Sequence, residues 1–472
     1  MMFDYLKQGI HAVRTFLVGA KVTIANQDFY DAGYKDFEDN VGMERGTLNS
    51  RAEYMFHNDT WQGPIDGGII DEVIGNGIKL QIESPYQEHW DEFAEICDIT
   101  GRAEMTDMAK VVLGTSLRVG DSFTYVRFTK KGLKLQLLEA HQLCEYKGKN
   151  GIEINSDGSI RGYYFYKDEY KTEIQFIKAK FIVHFYELNS ASQYRGVSDY
   201  NRSITTSKDL MGFNDSTVKK ARAISNVAYA VKGGKHNPLA NPLGVQKVAQ
   251  ELRTPIKSIG GLKVHYLREN EEIQTLDSSK DGASYKEYTD VGGSAIARSR
   301  QVSVAWAKRD YRGMSFSSHK AEKMQNDKRF DGIGDRLTRY WYKPIYRLWR
   351  EYMALSGQLD SRKVTTVWIQ PYRPSVQPDK EIATISKKLD RDIINIFDAC
   401  KAMGTDYQDN LIKNKEAIEL QKKIYGDDYE YMKNRELELE KYEMKLRHKA
   451  QKRSKDDRKR KKKAKKTATK TA

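Results

Sequence analysis

SDYNRSITTSKDLMGFNDSTVKKARAISNVAYAV, residues 198–231, contains no proline and ends just before Gly233-Gly234. Ser198 is a plausible N-cap for a helix, and paired glycines are a common helix stop. At 1.5 Å per residue such a helix would be on the order of 50 Å long. It is too long for a small globular core and too polar for a membrane span. The stretch therefore predicts one long helix that neither setting explains.

The chain on either side of this helix alternates between helical and extended patterns. Residues 47–80 predict two helices that lead through a turn at Gly75-Asn76-Gly77 into a strand. Residues 90–119 predict two more helices separated near Gly101, and residues 121–187 alternate apolar and polar side chains as antiparallel strands do. Downstream we predict a loop- and strand-like stretch over 235–278 and two helices, over 281–303 and 317–343, with a kink at Pro344. A strand over 363–372 and three final helical segments within 379–445 follow. These patterns together predict an α+β fold.

The positive charge is concentrated at the C-terminal end. The 472 residues carry a formal net charge of +15, and fifteen Lys or Arg against two Asp give residues 445–472 a net charge of +13. Residues 1–444 therefore carry only +2, so the body is nearly neutral. Residues 454–472, SKDDRKRKKKAKKTATKTA, have almost no apolar surface to bury, which predicts a disordered basic tail.

Cysteine spacing and hydropathy indicate in which cellular compartment the chain is made and whether it is exported. Cys97, Cys144 and Cys400 are far apart and form no C-x-x-C pair, which favours a reducing cytoplasm at synthesis. The apolar run Phe16–Ala20 is too short for a signal peptide or a membrane span, and no later stretch is a better candidate. We therefore expect neither export by a recognisable signal nor association with a membrane.

Motifs of enzymes are sparse. The phosphate-loop pattern G-x-x-x-x-G-K-[ST] does not occur, and G-x-S-x-G fails because Tyr200 replaces its second glycine. The nine histidines form no H-x-x-x-H pair. His184 and Glu187 form an H-x-x-E on a predicted strand, where this spacing points the two side chains to opposite faces, so we interpret both as structural. The sequence predicts no catalytic group, metal site or cofactor.

Four sequence blocks occur in a specific order. They are the helices and V-x-G-x-G-I turn of 48–78, the W-…-D-x-x-G and R-x-G-[ED] patterns of 90–123, the Q-x-R-G-V-S motif within 182–200, and SFSSHKAEK (315–323) with WIQPYRPSVQPDKEIA (368–383). In their joint order and spacing they resemble the lambda-type portal proteins of tailed bacteriophages, over about residues 30–440. The departures are Asp121 where the family more often has Glu, Phe316, His319 and Lys320 around the paired serines, and a transposed Pro378-Asp379.

This resemblance implies a homo-oligomeric ring of about twelve copies at one vertex of a capsid. Such a ring is a conduit for double-stranded DNA, without sequence specificity, during packaging and ejection. Its implied partners are the terminase large subunit, the head–tail adaptor protein and the major capsid protein. The implied location is the virion, with the host cytoplasm during assembly, and neither an enzymatic activity nor a cofactor is implied.

The resemblance also implies a domain division, with a mixed α/β wing, a long α-helical stem, a small clip and a helical crown. The implied segments are an N-terminal arm (1–29), the wing (30–197), a first stem helix (198–231), the clip (232–280), a second stem helix (281–303), a channel loop (304–316), a channel-side helix with the C-terminal part of the wing (317–378), the crown helices (379–445) and the basic tail (446–472).

The cationic stretch KRDYRGMSFSSHKAEKMQNDKRF, residues 308–330, falls in the implied channel loop and the helix behind it. Small, flexible and cationic residues suit a loop that meets a sliding phosphate backbone, and about a dozen copies would multiply each charge into a ring of positive potential. The alternative is that these cations form inter-subunit ion pairs with residues such as Asp310 or Glu322. The predicted channel residues are Lys308, Arg309, Tyr311, Arg312 and Gly313 in the loop, and Ser317, Ser318, Lys320 and Lys323 on the helix.

Two further sets of residues follow from the resemblance. The family motifs imply structural roles for Arg195, Gly196, Ser198, Trp368, Pro371, Lys380 and Glu381. If the crown lies inside the head, the tail would contact packaged DNA through Arg458, Lys459, Arg460, Lys461, Lys462 and Lys463. The alternative for the tail is binding to any polyanion, including host RNA.

Two other classes of function stay open from the sequence. One is a metal-dependent nuclease or another packaging enzyme, which would cleave duplex DNA with a divalent metal ion. The other is a nucleic-acid scaffold built on the basic tail, which would be a monomer or dimer and would lose its DNA affinity with residues 445–472. The scaffold interpretation leaves the four ordered blocks unexplained.

Overall fold

The structure, a computed structural model, describes one long stretch of the chain and a few short ones. The described residues are 37–426 except 84, 169, 233–257, 260–261, 268–280, 361 and 363, together with 430 and 433–435. The predicted N-terminal arm, most of the clip and the basic tail lie outside the described residues. The chain divides into two compact units. The first comprises the residues up to Gly77 with Glu83–Val364, and the second comprises Ile78–Ile82 with the residues from Thr365 onward.

Four helices begin the first unit, as the sequence predicts. They are α1 (Phe37–Asn58), α2 (Gln62–Val73), α3 (Tyr86–Ile96) and α4 (Met105–Val119). Gly77 and Gly101 have φ angles of +109° and +69°, a region that glycine adopts without strain, so they mark the predicted turns. On α3 the residues Tyr86, Trp90 and Phe93 are buried, at a spacing that places them on one face.

Two antiparallel sheets follow, which confirms the predicted strands. The strands are β2 (Asp121–Thr129), β3 (Gly132–Leu138), β4 (Ile152–Ile154), β5 (Ile160–Tyr166), β6 (Ile174–Lys178) and β7 (Ile182–Tyr186). One sheet has the order β3-β2-β7 and the other β4-β5-β6. Phe123, Tyr163 and Phe165 belong to a single buried apolar cluster of these strands, and the Phe123 ring makes T-shaped contacts with both other rings. Burial of this cluster stabilises the sheets.

The long helix is shorter than predicted at both ends. Helix α5 spans Ile204–Asn226, 23 residues, or roughly 35 Å. The chain then continues as β8 (Val227–Lys232), which pairs in parallel with β10 (Leu262–Leu267), while β9 (Ser258–Ile259) pairs antiparallel with β10. The prediction of one helix over 198–231 is therefore wrong. Its last residues alternate large apolar and small side chains, a period of two that favours a strand.

Helix α6 (Asp281–Ser299) packs against α5 at Gly292 and against Trp61, the residue before α2, at Gly293. A Cβ atom on Gly292 would lie 2.7 Å from the Leu210 side chain, and one on Gly293 would lie 2.3 Å from the Trp61 ring. Both distances are shorter than van der Waals contact, so the close approach of α6 to α5 and to Trp61 depends on the absence of side chains at the two glycines.

We expect Gly293→Ala to destabilise the first unit by about 1–3 kcal/mol, because the added methyl group collides with the rigid indole of Trp61. The matched control is Gly212→Ala on α5, where an added Cβ meets nothing within 4 Å. This control should raise stability by up to about 1 kcal/mol through helix propensity. Urea unfolding of both variants tests the prediction. An equal increase of the free energy of unfolding in both variants would show that α6 does not need a glycine beside Trp61.

The segment predicted as a channel loop, 304–316, is not entirely a loop. It begins with the short helix α7 (Val304–Lys308), and α8 (Phe316–Leu337) follows. A π-helical turn, Thr338–Tyr342, then joins α8 to α9 (Lys343–Leu355). The helix therefore continues past the predicted end at 343. The irregularity predicted at Pro344 takes the form of the π turn directly before it, because proline lacks the N–H of a regular helix turn.

The second unit combines a small sheet and three helices. Strand β1 (Lys79–Gln81) pairs antiparallel with β11 (Val367–Ile369), with Leu80 opposite Trp368. The helices are α10 (Pro378–Leu389), α11 (Ile396–Ala402) and α12 (Tyr407–Tyr425). Across both units, none of the helices in the described ranges is both long and apolar enough to cross a membrane.

Candidate nucleic-acid interface

The cationic segment begins at the C-terminal end of α7, and the caps of this helix fix the direction of the loop that follows. Ser303 caps α7 by accepting a hydrogen bond from the Trp306 N–H. At the other end Arg309 adopts a left-handed backbone with φ of +51°, and the Asp310 N–H donates to the Ala305 carbonyl at 3.0 Å. An arginine in this conformation is uncommon, because its Cβ is strained where glycine would not be. The loop therefore leaves α7 at a defined angle.

The segment ends at a second capped helix. Ser315 caps α8, because its Oγ accepts a hydrogen bond from the Ser318 N–H at 3.1 Å, and the predicted channel-side residues Ser317 and Ser318 lie in the first turn. Ser317 is exposed in the first turn. Between the two caps Gly313 turns the chain with φ of +76°, and an added Cβ there would meet nothing within 4 Å. The Tyr311 ring makes a T-shaped contact with His319 at 4.7 Å.

Three of the five predicted cations have carboxylate partners in the same chain. The contacts are Lys308 to Asp290 at 2.6 Å, Arg312 to Asp310 at 2.7 Å and Lys323 to Asp327 at 3.0 Å. Hydrogen bonds from the Arg312 side chain and backbone hold the pKa of Asp310 well below its usual range. Asp310, which the sequence offered as an inter-subunit partner, thus pairs with Arg312 within the chain. These pairs reduce the net positive charge of the segment.

The other two cations are Arg309 and Lys320. Both are exposed, and neither has a carboxylate within ion-pair distance among the described residues. Arg312 also remains 90% exposed although it is paired. Of the five predicted channel cations, two per chain therefore remain uncompensated, one in the loop and one in the first turns of α8.

The family-motif residue Arg195 lies in a buried charge network. Its Nε contacts Asp121 at 2.8 Å, its Nη1 contacts Glu145 at 2.8 Å, and its backbone N–H donates to Glu38 at 2.7 Å. The Arg195 and Asp121 side chains are both 0% exposed. Glu38 also pairs with the buried Arg45 at 3.0 Å. The network joins α1 and β2 to the segment before α5.

Asp121 is the centre of this network. It also accepts hydrogen bonds from His184 Nε2, at 3.0 Å, and from the Gly196 N–H. Burial alone would raise the pKa of Asp121, but the charge of Arg195 and the hydrogen bond from His184 outweigh it and hold this pKa well below its usual range. Burial lowers the pKa of His184, which favours the neutral imidazole. Sequence reasoning gave Asp121 no role, because its partners are far away along the chain.

Gly196 occupies a position that only glycine fits. A Cβ atom there would lie 2.0 Å from the Gly120 carbonyl oxygen, and Gly120 itself has φ of +91°. The two backbones therefore touch directly, next to the Asp121 carboxylate. Ser198 is buried, and its Oγ accepts a hydrogen bond from the Tyr200 N–H at 3.1 Å, so it stabilises a turn before α5 and does not cap the helix.

A second buried network surrounds Arg300, directly after α6. Its Nη2 pairs with Asp66 and its Nη1 donates to Gln62 at 3.0 Å, while the Tyr200 hydroxyl donates to the other Asp66 oxygen at 2.6 Å. The Arg300 guanidinium also lies 4.7 Å from the Tyr200 ring centre. This network joins α2, the segment before α5 and the end of α6. Nothing in the sequence indicated it.

The remaining family-motif residues lie in the second unit. Trp368 is buried in β11, and Glu381 in α10 accepts a hydrogen bond from the Tyr372 hydroxyl at 2.9 Å. Lys380 is exposed on α10, and Pro371 lies between β11 and α10. The six tail residues predicted to contact DNA, Arg458–Lys463, lie outside the described residues.

The His184 and Glu187 pair does not form a site. His184 contacts Asp121, whereas Glu187 pairs with Arg336 at 2.9 Å, so the two side chains serve separate contacts, in agreement with the structural interpretation. Within the described ranges no group of three or more His, Cys, Asp or Glu is placed to hold a metal ion.

A comparison with protein families identifies the chain. Residues 26–333 match the family described as phage portal protein, lambda family. The chain belongs to the lambda family of phage portal proteins, and its role is that of a portal, a head–tail connector. This confirms the resemblance inferred from the four sequence blocks. A search of curated proteins finds no match.

Solved structures of gene transfer agent (GTA) particles are similar to the chain at 12% identity. The neck of an empty particle computed with C6 symmetry has a TM-score of 0.43 and covers 77% of this chain and 94% of its own. The neck of a native particle computed with C12 symmetry has a TM-score of 0.44, with 77% and 93% covered. The virion of a native particle has a TM-score of 0.42, with 79% and 94% covered.

Proposed function

We propose that the chain assembles into a closed homo-oligomeric ring of about twelve copies at one capsid vertex, and that double-stranded DNA passes through this ring during packaging and ejection. Membership of the portal family supports the ring. The observation that carries the contact with DNA is the exposure of Arg309 and Lys320, uncompensated by carboxylates of the described chain, on a segment fixed by two capped helix ends.

The remaining assignments complete this proposal. Helices α5 and α6 would form the stem, the three-stranded β8-β10-β9 sheet would belong to the clip, and α10, α11 and α12 would belong to the crown. The ring would dock the terminase large subunit and the head–tail adaptor protein, and it would contact the major capsid protein. It would act in the virion after assembly in the host cytoplasm, as a passage and not as an enzyme.

The charge of the segment suits a passage. Each neutralised phosphate adds affinity through the release of counterions, so many unpaired cations would hold DNA in place. Intrachain pairing of Lys308, Arg312 and Lys323 leaves two of the five predicted channel cations uncompensated in each copy. Repeated about twelve times, these charges attract the backbone without sequence specificity, and the nearly neutral body adds little to the attraction. Weak, repeated contacts allow DNA to slide.

The test measures DNA binding by purified rings at several salt concentrations. Because the tail carries a net charge of +13, the chain is first ended at Met444. We expect this truncation to reduce the salt dependence strongly, since the tail would supply most of the phosphate contacts. In the truncated ring, Arg309→Gln with Lys320→Gln should reduce the remaining slope of log K against log salt, by roughly 0.9 for each phosphate that is no longer neutralised.

The matched control replaces two exposed cations of the β2–β3 turn, Lys130→Gln with Lys131→Gln. It removes the same charge from a different place and should leave the slope nearly unchanged. An equal slope for the truncated ring and both double variants would contradict the proposed DNA-facing position. Cleavage of the duplex on addition of a divalent metal ion would instead favour a nuclease.

A further inference from the structure

A cleft rich in positive charge opens beside the second network. We call it the cationic cleft; its volume is about 660 Å³, and its walls come from α8, the end of α6 with the residues after it, and the residue following β7. Four lining side chains are cations and one is a carboxylate, namely Arg298, Lys328, Arg329, Arg336 and Glu187. Arg298 and Lys328 are exposed and have no carboxylate partner among the described residues. The cleft therefore has an excess of positive charge.

Two of these arginines are recessed and only partly satisfied. Arg329 contacts Asp199 at 3.3 Å and donates to Gln301 at 2.8 Å, and Arg336 contacts Glu187 at 2.9 Å. Their side chains are 14% and 19% exposed. The Nε atoms of both are buried and have no hydrogen-bond partner within the described structure. Burial, together with the charges of Arg336 and Arg300, lowers the pKa of Arg329. An added anion would compensate the excess of positive charge in the cleft.

Hydrogen bonds fix one wall of the cleft, and a glycine leaves open space in its lining. One wall is fixed by Asn326, which donates to the Ser303 hydroxyl at 3.0 Å and accepts from the Ser303 N–H at 2.9 Å. Gly332 lies one helical turn from both Arg329 and Arg336, and a Cβ atom there would meet nothing within 4 Å. Gly332 thus leaves open space in the lining that it shares with the two arginines.

The geometry favours a carboxylate as the anion. Guanidinium groups bind carboxylates with two parallel hydrogen bonds, and both recessed arginines already hold carboxylates of their own chain. The phosphate backbone of a duplex is broad and stiff, so it suits exposed cations better than side chains that are four-fifths buried. A protruding acidic side chain can enter such a cleft.

The chain itself carries a complementary surface on α3. The exposed face of this helix bears Glu88, Asp91, Glu92 and Glu95, and the helix contains no Lys or Arg. Their spacing places the four carboxylates on the side opposite the buried aromatic residues. Helix α3 contributes no residue to the cationic cleft of its own chain. A second copy is therefore the source that charge complementarity favours.

We propose that the acidic face of α3 in one copy docks into the cationic cleft of the next copy. This inference rests on the proposed ring, in which each copy presents one surface to one neighbour and a different surface to the other. The contact gives the ring a salt-sensitive electrostatic interface at each of its about twelve junctions.

The test is a charge swap in the full-length chain, read out as the protomer concentration at which half of the protein is in rings. Reversal of the cleft, Arg298→Glu with Lys328→Glu, should raise this concentration by at least about tenfold, because like charges then face each other. Reversal of α3, Glu92→Lys with Glu95→Lys, should have a similar effect. The two reversals combined should restore assembly to within about threefold of the native chain. All six positions named in the test, including the control below, are exposed, so folding is retained.

The matched control is Lys130→Glu with Lys131→Glu, which reverses two exposed cations elsewhere and should leave assembly unchanged. Unchanged assembly after reversal of the cleft, or a loss that reversal of α3 does not restore, would overturn the inference while leaving the ring intact. Rings that form normally but lose duplex DNA binding would assign the cleft to DNA phosphate and also overturn it. A native chain that forms no ring at any salt concentration would contradict the proposed function instead.

A second variant tests the cleft without reversing a charge. Gly332→Glu adds a carboxylate of the same chain to the cleft lining, one helical turn from both Arg329 and Arg336, where it competes with the neighbour. We expect it to weaken assembly about tenfold, whereas Gly332→Ala assembles like the native chain, since only the carboxylate fills the anion site. Normal assembly of Gly332→Glu would contradict the inference.

Discussion

We expect Asp121→Asn to lower the free energy of unfolding by about 3–5 kcal/mol, the usual cost of removing one partner of a buried ion pair. The amide group of the new side chain would face the Arg195 guanidinium with one donor against another, and Arg195 would keep only the half-exposed Glu145 as an ion-pair partner. The hydrogen bonds that Asp121 accepts from His184 and the Gly196 N–H would weaken with the loss of charge.

The measurement is urea unfolding followed by tryptophan fluorescence at one protein concentration. Trp341 is a suitable reporter, because its buried indole donates to Thr124 of the same strand as Asp121 at 2.9 Å. The control Asp107→Asn removes an exposed carboxylate from the first turn of α4 and should cost less than about 1 kcal/mol. Equal losses for both variants would show that the buried network does not stabilise the fold.

Acid should reduce the difference in the free energy of unfolding between the native chain and Asp121→Asn. The folded pKa of Asp121 lies below its unfolded value, so its stabilising contribution is complete above the unfolded pKa and is lost as the pH falls through the folded pKa. A difference that grew in acid would contradict the depressed pKa.

We expect Arg300→Gln to lower the free energy of unfolding by a similar amount, about 3–5 kcal/mol at neutral pH. Asp66 is 0% exposed, and Arg300 is the cation that compensates its charge. The Tyr200 hydroxyl and the Gln62 amide would remain, but neither neutralises a buried carboxylate. The control Arg202→Gln removes an exposed arginine just before α5 and should change stability by less than about 0.5 kcal/mol.

The effect of Arg300→Gln should depend on pH in a defined direction. Burial raises the pKa of Asp66, although the charge of Arg300 acts in the opposite direction. The contribution of Asp66 to the free energy of unfolding is therefore present below its unfolded pKa and is lost as the pH rises through its folded pKa. Removal of Arg300 raises the folded pKa further and extends this loss to higher pH. The deficit of the variant should therefore be larger at about pH 8 than at about pH 5. A deficit independent of pH would contradict the role of Arg300 as the charge partner of Asp66.

Local patterns predicted most elements of the first unit. The glycine turns, α3 and α4, and the antiparallel strands follow from signals within a few residues, because turn chemistry and alternation act locally. The helix predicted over 198–231 is too long, because the absence of proline favours a continuous helix although the end of the stretch alternates as a strand does. The short helix α7 was missed because five residues carry too little periodic signal.

The buried networks could not be predicted in the same way. Asp121 and Arg195 are 74 residues apart in sequence, and Arg300 and Asp66 are 234 apart. Each pair is formed only by the packing of distant elements, and a charged residue in a sequence is by default an exposed one. The resemblance singled out Arg195, Gly196 and Ser198 as structural, but it did not indicate their partners. Among the predicted channel cations, likewise, the sequence showed the charges and not the pairing of three of the five within the chain.

The measurement that tests the account most directly is native mass spectrometry of the full-length protein, with negative-stain images of the same sample. We predict a closed ring of about twelve copies with a central hole, as a portal requires. A stable monomer or dimer at every salt and protein concentration would contradict the proposed conduit.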